Sequence, residues 1–198
     1  IARVLWVTPA MDRLWSGGPE GRRRFLDRIA LSFDPEHARR SLDYEKALRE
    51  RNRLLKAQEN DDAWFAALER RLADAGAAIH MARSGALQMI SDAQEKSKSA
   101  FPVADLYLRP GTEDIPADDP EALTTALARG RRLDMRAGRT LMGVHRADLE
   151  ATYQAKSMPA DQCSTGEQKA LLLSIVLANA RALSKAEGAP PILLLDEV

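Results

Sequence analysis

A single cysteine, Cys163, stands among the 198 residues, so no disulfide can form within the chain; this suits a reducing compartment. Aromatic residues are scarce, at 5%. Charge of one sign is also lacking: 29 Lys and Arg balance 29 Asp and Glu. A polycation is thereby excluded, and any nucleic-acid surface has to be a local patch. The longest apolar stretch, ALLLSIVLANARAL, is broken by Asn179 and Arg181 and falls short of the ~18–20 residues that a membrane span needs. The opening IARVLWV has no initiator Met and no signal-peptide layout, and reads as a strand within a longer chain. No G-x-x-x-x-G-K-[ST] occurs, since none of the 11 glycines precedes a lysine. The lysine-bearing loop that cradles nucleotide phosphates is therefore not in this sequence. There is no internal repeat and no low-complexity tract.

What is present is a soluble globular composition, 45% hydrophobic and 29% charged, rich enough in Ala, Leu and Arg to be mainly helical. A strand at residues 1–7 is stopped by Thr8-Pro9. Gly17-Gly18 turns the chain into a helix opened by Pro19, with Phe25, Leu26, Ile29 and Phe33 at helical spacing. Asp34-Pro35 opens a second, Arg-rich helix. Asn60-Asp61-Asp62 caps a third, whose stripe of Trp64, Leu68, Leu72, Ala75, Ile79, Ala82, Ala86 and Ile90 predicts a helix to about residue 99. Two long helices with a short joint predict an antiparallel hairpin. A short strand at 103–108, a Pro- and Asp-rich loop, a helix capped by Asp119 and a half-buried strand through Leu149, Ala151, Tyr153 and Ala155 follow. An apolar helix after Ser164 ends at Gly188, and ILLL reads as a buried strand.

Two motifs carry chemistry. In STGEQK, Ser164 and Glu167 form a capping box; with Gly166, the same helix start also presents backbone N–H groups and a dipole to a phosphate. In ILLLDEV, a rigid strand delivers Asp196 to a Mg²⁺ shell and Glu197 to a water on the other side of the pleat. The plainer alternatives are a cap alone and a strand running into a polar loop. Taken together, with 32 positions from Ser164 to Asp196, one buried helix and a Pro linker between them, the motifs have the layout of the signature loop and Walker B strand of ABC-type ATPases.

The segments GGPEGRRRFLDRI (17–29), YEKALRERNRLLK (44–56), RTLMGVHRADLE (139–150), STGEQKALLLSIVLANA (164–180) and LLLDEV (193–198) resemble the RecF family, of the SMC/Rad50-like ABC group, along nearly the whole chain. In that family the fourth segment's predecessor usually reads Gly-Pro-His-Arg-Asp-Asp-Leu; here Val144 and Ala147 replace the Pro and the first Asp. The resemblance implies an α/β fold with a large α-helical part: a partial ABC/Rad50-like ATPase head plus an antiparallel helical hairpin domain. Residues 1–33 would belong to the head and the entry to the helical domain, residues 34–137 to that domain, and residues 138–198 to the C-terminal lobe with signature and Walker B. It implies ATP and Mg²⁺ as cofactors, with the phosphate loop upstream of these residues, and an ATP-dependent homodimer. Ser164, Gly166 and Gln168 would meet the partner subunit's ATP. Asp196 would hold Mg²⁺ through water, and Glu197 would be the catalytic carboxylate. The implied role is cytoplasmic: binding duplex DNA near single-strand gaps and, with RecO and RecR, promoting RecA loading in replication, recombination, repair and the SOS response. ATP hydrolysis would be slow and DNA-dependent, and the present chain alone would be inactive. His145 and Arg146 lie in a family motif without an assigned role. From Arg22 to Lys56 there are 11 Lys/Arg against 6 Asp/Glu, so some of Arg39, Arg40, Arg49, Arg51, Arg53 and Lys56 are candidates for phosphate-backbone contact. An ABC ATPase subunit powering transport, or a helical interaction module with vestigial ATPase features, are the alternatives; the GRRRFLD segment and the Arg-rich hairpin argue against the first.

Overall fold

The computed structural model describes residues 3–97, 99–112 and 114–196. Helices dominate: α1 (Pro19–Phe33), α2 (Glu36–Ala57), α3 (Asp62–Glu95), α4 (Pro120–Ala137) and α5 (Thr165–Glu187) are joined by five short strands, β1 (Val4–Val7), β2 (Ala104–Arg109), β3 (Asp148–Tyr153), β4 (Met158–Pro159) and β5 (Ile192–Leu195). Two compact units result. One takes Ile1–Phe33, Arg83–Arg109 and Asp148–Val198, and the other takes Asp34–Ala82 and Pro110–Ala147. The division differs from a helical domain running unbroken over residues 34–137. Residues 83–109 lie in the first unit because β2 there pairs antiparallel with β3, and residues 138–147 lie in the second.

In the first unit β1 and β5 run parallel, Val4 beside Ile192 through Val7 beside Leu195. β2, β3 and β4 form a separate antiparallel sheet. α5 packs against β1 and β2, and α1 against β3 and α5. Leu26, Ile29, Ala30, Leu149, Leu171, Leu172, Ile175 and Leu183 are the buried interior. Several polar groups inside are paired, although the buried Trp15 indole N–H has no partner among the described residues. Arg22 holds Asp148 through two 2.8 Å bonds and donates to the Gly17 carbonyl at 2.6 Å, so the Gly-Gly turn, α1 and β3 share one guanidinium. Arg83 clasps Asp27 at 2.8 and 2.9 Å. The side-chain amide of Gln94 both donates to and accepts from the Ala104 backbone at 3.0 Å, extending the edge of β2.

β5 departs from its expected burial. Ile192, Leu194 and Leu195 are exposed, as are Val4 and Trp6 of β1, whereas Leu5 and Val7 are buried. The sheet has two strands, and α5 packs against β1, so β1 alternates buried and exposed residues while the less covered β5 leaves even the adjacent Leu194 and Leu195 exposed. α3 ends at Glu95 rather than near residue 99.

In the second unit α2 and α3 are antiparallel. Arg51 reaches Glu69 at 3.1 Å, and the ring of Tyr44, two turns earlier, lies against Gly76, two turns later, where an added Cβ would come within 3.3 Å of it. Tyr44, Ala47, Leu54 and Leu55 of α2 meet Phe65, Leu68, Leu72 and Ile79 of α3, with Leu127 of α4 and Val144 closing the cluster. Phe65, not Trp64, is the aromatic inside; Trp64 is exposed beneath Arg53, 5.3 Å from its ring. Asp61 caps α3 through the Trp64 N–H at 2.9 Å. Asp119 caps α4 through the N–H groups of Glu121 and Ala122. Gly138, with φ of +63°, ends α4 in the left-handed conformation that glycine favours.

Candidate functional site

The start of α5 is built as its sequence requires. Ser164 has extended backbone angles and forms the complete capping box with Glu167. The Ser164 N–H and hydroxyl donate to Glu167 Oε2 at 2.8 and 2.7 Å. The other carboxylate oxygen, Oε1, is paired with Lys156. Lys156 first, then the Ser164 hydroxyl and N–H, hold the Glu167 carboxyl down at about 2. The same contact raises the Lys156 ammonium above its ordinary value, and Nζ lies 5.5 Å from the Tyr153 ring centre. Lys156 belongs to the short turn after β3, closed by Ser157 at a φ of +48°, and it is a residue that the motif STGEQK could not reveal.

Around this locked box the surface is open. Ser164, Thr165 and Gly166 are exposed. A Cβ on Gly166 would meet nothing within 4 Å, so the fold has no steric need of glycine there. The N–H groups of Thr165 and Gly166 have no acceptor among the described residues, as expected of a first helical turn. Gln168 turns the opposite way: it is buried and donates to the Cys163 carbonyl at 2.9 Å, bracing the loop from below. Burial pushes the neighbouring Cys163 thiol up. Beyond the first turn, Leu171, Leu172, Ile175 and Ala178 are fully enclosed, which anchors the exposed end on a rigid helix.

Asp196 follows β5, and its N–H continues the ladder to the Val7 carbonyl at 3.3 Å. Its side chain is exposed and has no ion-pair partner among the described residues. Glu197 lies outside the described residues. The first turns of α5 lie beside the segment that follows the carboxyl end of β1. Lys169, in the first turns of α5, is 3.7 Å from Asp12, which lies just past the carboxyl end of β1, and that end is paired with the end of β5. No group of three or more His, Cys, Asp or Glu among the described residues is arranged to hold a metal. One exposed carboxylate on a rigid strand nevertheless suits Mg²⁺, which is held by one or two carboxylates together with water and substrate phosphates.

His145 and Arg146 sit in a loop fastened to the second unit. The Tyr44 hydroxyl is 2.7 Å from His145 Nδ1, and His145 Nε2 is 3.2 Å from the Thr140 carbonyl. A carbonyl only accepts, so Nε2 carries the proton and Nδ1 accepts from Tyr44. Gly143, at φ +126°, lies so close that a Cβ would fall 2.4 Å from the Tyr44 hydroxyl. His145 thus positions the loop, while Arg146 is exposed.

The Arg candidates on α2 separate sharply. Arg39 is bound to Glu36 at 2.7 Å, Arg40 to Asp34 and Arg49 to Glu45 at 3.4 Å. Arg51 is withdrawn from any outer surface: its side chain is 0% exposed. All five of its N–H groups are used, on Glu69, Asp134 Oδ2 (2.7 Å), Thr140 Oγ1 (2.8 Å) and the Leu127 carbonyl (3.0 Å). Arg131 completes the charge balance on Glu69 at 2.6 Å.

An α/β unit with an exposed, capped start to α5 and a parallel strand leading to Asp196, its chain interrupted by a helical unit, defines the class. Comparison with known proteins gives the family. Over 204 residues the chain is 48% identical to the DNA replication and repair protein RecF of Brucella abortus, covering 100% of the chain and 53% of that protein. It is 49% identical to RecF of Mesorhizobium japonicum, covering 99% and 54%, and 48% identical to RecF of Rhizobium meliloti, again covering 99% and 54%. Among solved structures, the recombination mediator protein RecF-ATPrS of the RecFOR pathway superposes with a TM-score of 0.83 at 22% identity, covering 100% of this chain and 55% of that one. The RecF-ATP structure gives 0.82 at 24% identity, covering 98% and 54%. No protein-family model matches. Along its whole length the chain belongs to the RecF family, and it spans about half the length of the curated relatives it matches.

Proposed function

We propose that the chain is the signature- and Walker B-bearing part, with the helical domain, of a RecF-type DNA replication and repair ATPase. The observation that carries this reading is the open first turn of α5, with Ser164, Gly166 and two N–H groups free of acceptors among the described residues. In this reading the phosphates of an ATP held by a second copy meet the Ser164 hydroxyl and the Thr165 and Gly166 N–H groups, where the helix dipole favours negative charge. Gln168 keeps that loop in place from beneath. Asp196 would hold Mg²⁺ through water; the ion supplies neutralisation of phosphate charge. Glu197 orients the attacking water as general base. ATP thus joins two copies, hydrolysis is slow and separates them, and the dimer works on duplex DNA near single-strand gaps, with RecR and RecO, towards RecA loading.

Glu197→Gln in the full-length protein tests the assignment. It keeps the nucleotide contacts and removes the base, so sedimentation velocity with Mg-ATP should show a persistent dimer where the parent returns to monomer. A variant that stays monomeric with ATP would overturn the role of Glu197.

A further inference from the structure

Arginines spent on carboxylates or buried inside the fold have little to offer a phosphate, and most of those on α2 are so engaged. Several exposed cations of the second unit are not, and five of them lie on two adjoining chain segments. Arg129, Arg132 and Arg136 on α4, Arg139 just after its cap, and Lys56 at the end of α2 are exposed, and none has an ion-pair partner among the described residues. Their placement is joint. Arg129, Arg132 and Arg136 are spaced by three and four residues, which puts them on one helix face. Lys56 reaches across so that its Cγ would lie 3.6 Å from a Cβ on Gly138, between Arg136 and Arg139. The buried Arg51–Asp134 and Asn52–Thr140 contacts fasten these two chain segments together.

The nearest acids do not cancel the charge. Asp134 is buried on Arg51, Glu69 and Asp62 are taken by Arg131, and Glu50 lies 4.0 Å from Arg53. Glu59 and Asp61, in the α2–α3 connector, are the further acids close in sequence to Lys56, and Asp61 is engaged in capping α3. The helix dipole accounts for Arg136 in the last turn of α4, but its effect fades within that turn and does not reach Arg129. Four exposed guanidiniums and an ammonium in an electroneutral chain are a local surplus, and a surplus of this kind attracts a polyanion.

We propose that this face of α4, with the end of α2, is the surface that takes the phosphodiester backbone of duplex DNA. The inference rests on the DNA-repair reading above. It moves the contact from the α2 face that sequence charge density favours to the C-terminal half of α4. Contacts of this kind need charge rather than base-specific geometry.

The test uses the full-length protein and a gapped duplex, followed by fluorescence anisotropy over a range of salt concentration. Arg132→Glu/Arg136→Glu should weaken binding by roughly tenfold or more and lower the salt slope by about two, about one per lost phosphate contact. Arg132→Ala/Arg136→Ala, the milder change, should do so to a lesser degree, and Arg132→Lys/Arg136→Lys should keep most of the binding. The control Arg39→Glu/Arg49→Glu should stay close to the parent. Binding and slope unchanged in both the Glu and Ala pairs would overturn the surface while leaving the DNA reading intact. So would a control that loses as much as the α4 variants, or α4 variants that keep DNA but lose the RecR protein. A parent that binds no gapped duplex would overturn the DNA reading itself, and this surface with it.

Discussion

At the scale of the residue, Glu167 shows how a capping side chain becomes part of a candidate site. Lys156 and Ser164 stabilise its ionised form, so its folded-state value, about 2, lies below the ordinary 4.5. A depressed carboxyl contributes stability above its unfolded value, and that contribution is lost as pH falls from about 4.5 to about 2. NMR titration of the Glu167 carboxyl should therefore give a midpoint near 2, and Lys156→Ala should move it up towards 4.5. A parent midpoint already near the ordinary value would show that Lys156 does not hold it. The S-x-x-E spacing of Ser164 and Glu167 is visible in the sequence because a helix start uses local residues. Lys156 is not, because it reaches Glu167 from another turn.

At the scale of the element, α2, α3 and α4 are held by one buried guanidinium as well as by apolar packing. Arg51→Met would leave Glu69 and Asp134 with less compensation inside the unit, and the expected loss is about 3–5 kcal/mol in chemical denaturation. Arg49→Ala, on an exposed i,i+4 pair, should change stability by less than about 0.5 kcal/mol. Equal losses from the two would show that Arg51 is not the hub. Helix spacing and the caps Asp61 and Asp119 were legible here, since apolar stripes and caps act within a turn or two, whereas the end of α3 at Glu95 was not. The fate of Arg51 was not. In sequence it is one of a row of helical arginines, and only the approach of α4 and Thr140 buries it. The same holds for Trp64 and Phe65, adjacent aromatics of which α2 selects the second.

At the scale of the whole molecule, 29 positive and 29 negative side chains cancel, yet the charge is locally uneven. No lysine-bearing phosphate loop occurs in the sequence. The 198-residue chain by itself should accordingly release phosphate from Mg-ATP at the rate of the buffer, and sustained turnover would contradict the division of the site between this stretch and other residues. No helix among the described residues is long and apolar enough to cross a membrane.

The sequence by itself determined the helices, their caps, the antiparallel hairpin, the parallel strand before Asp196 and the family, because each is written in short-range spacing or in contiguous motifs. Tertiary structure alone decided which arginines remain available, which face of β5 is covered, that residues 83–109 join the first unit, and that Gln168 turns inward while Gly166 stays open. Those outcomes depend on pairs far apart in the chain, such as Arg22 with Asp148 or Arg51 with Asp134. Burial and charge pairing are properties of what packs against a residue, and no local pattern records them.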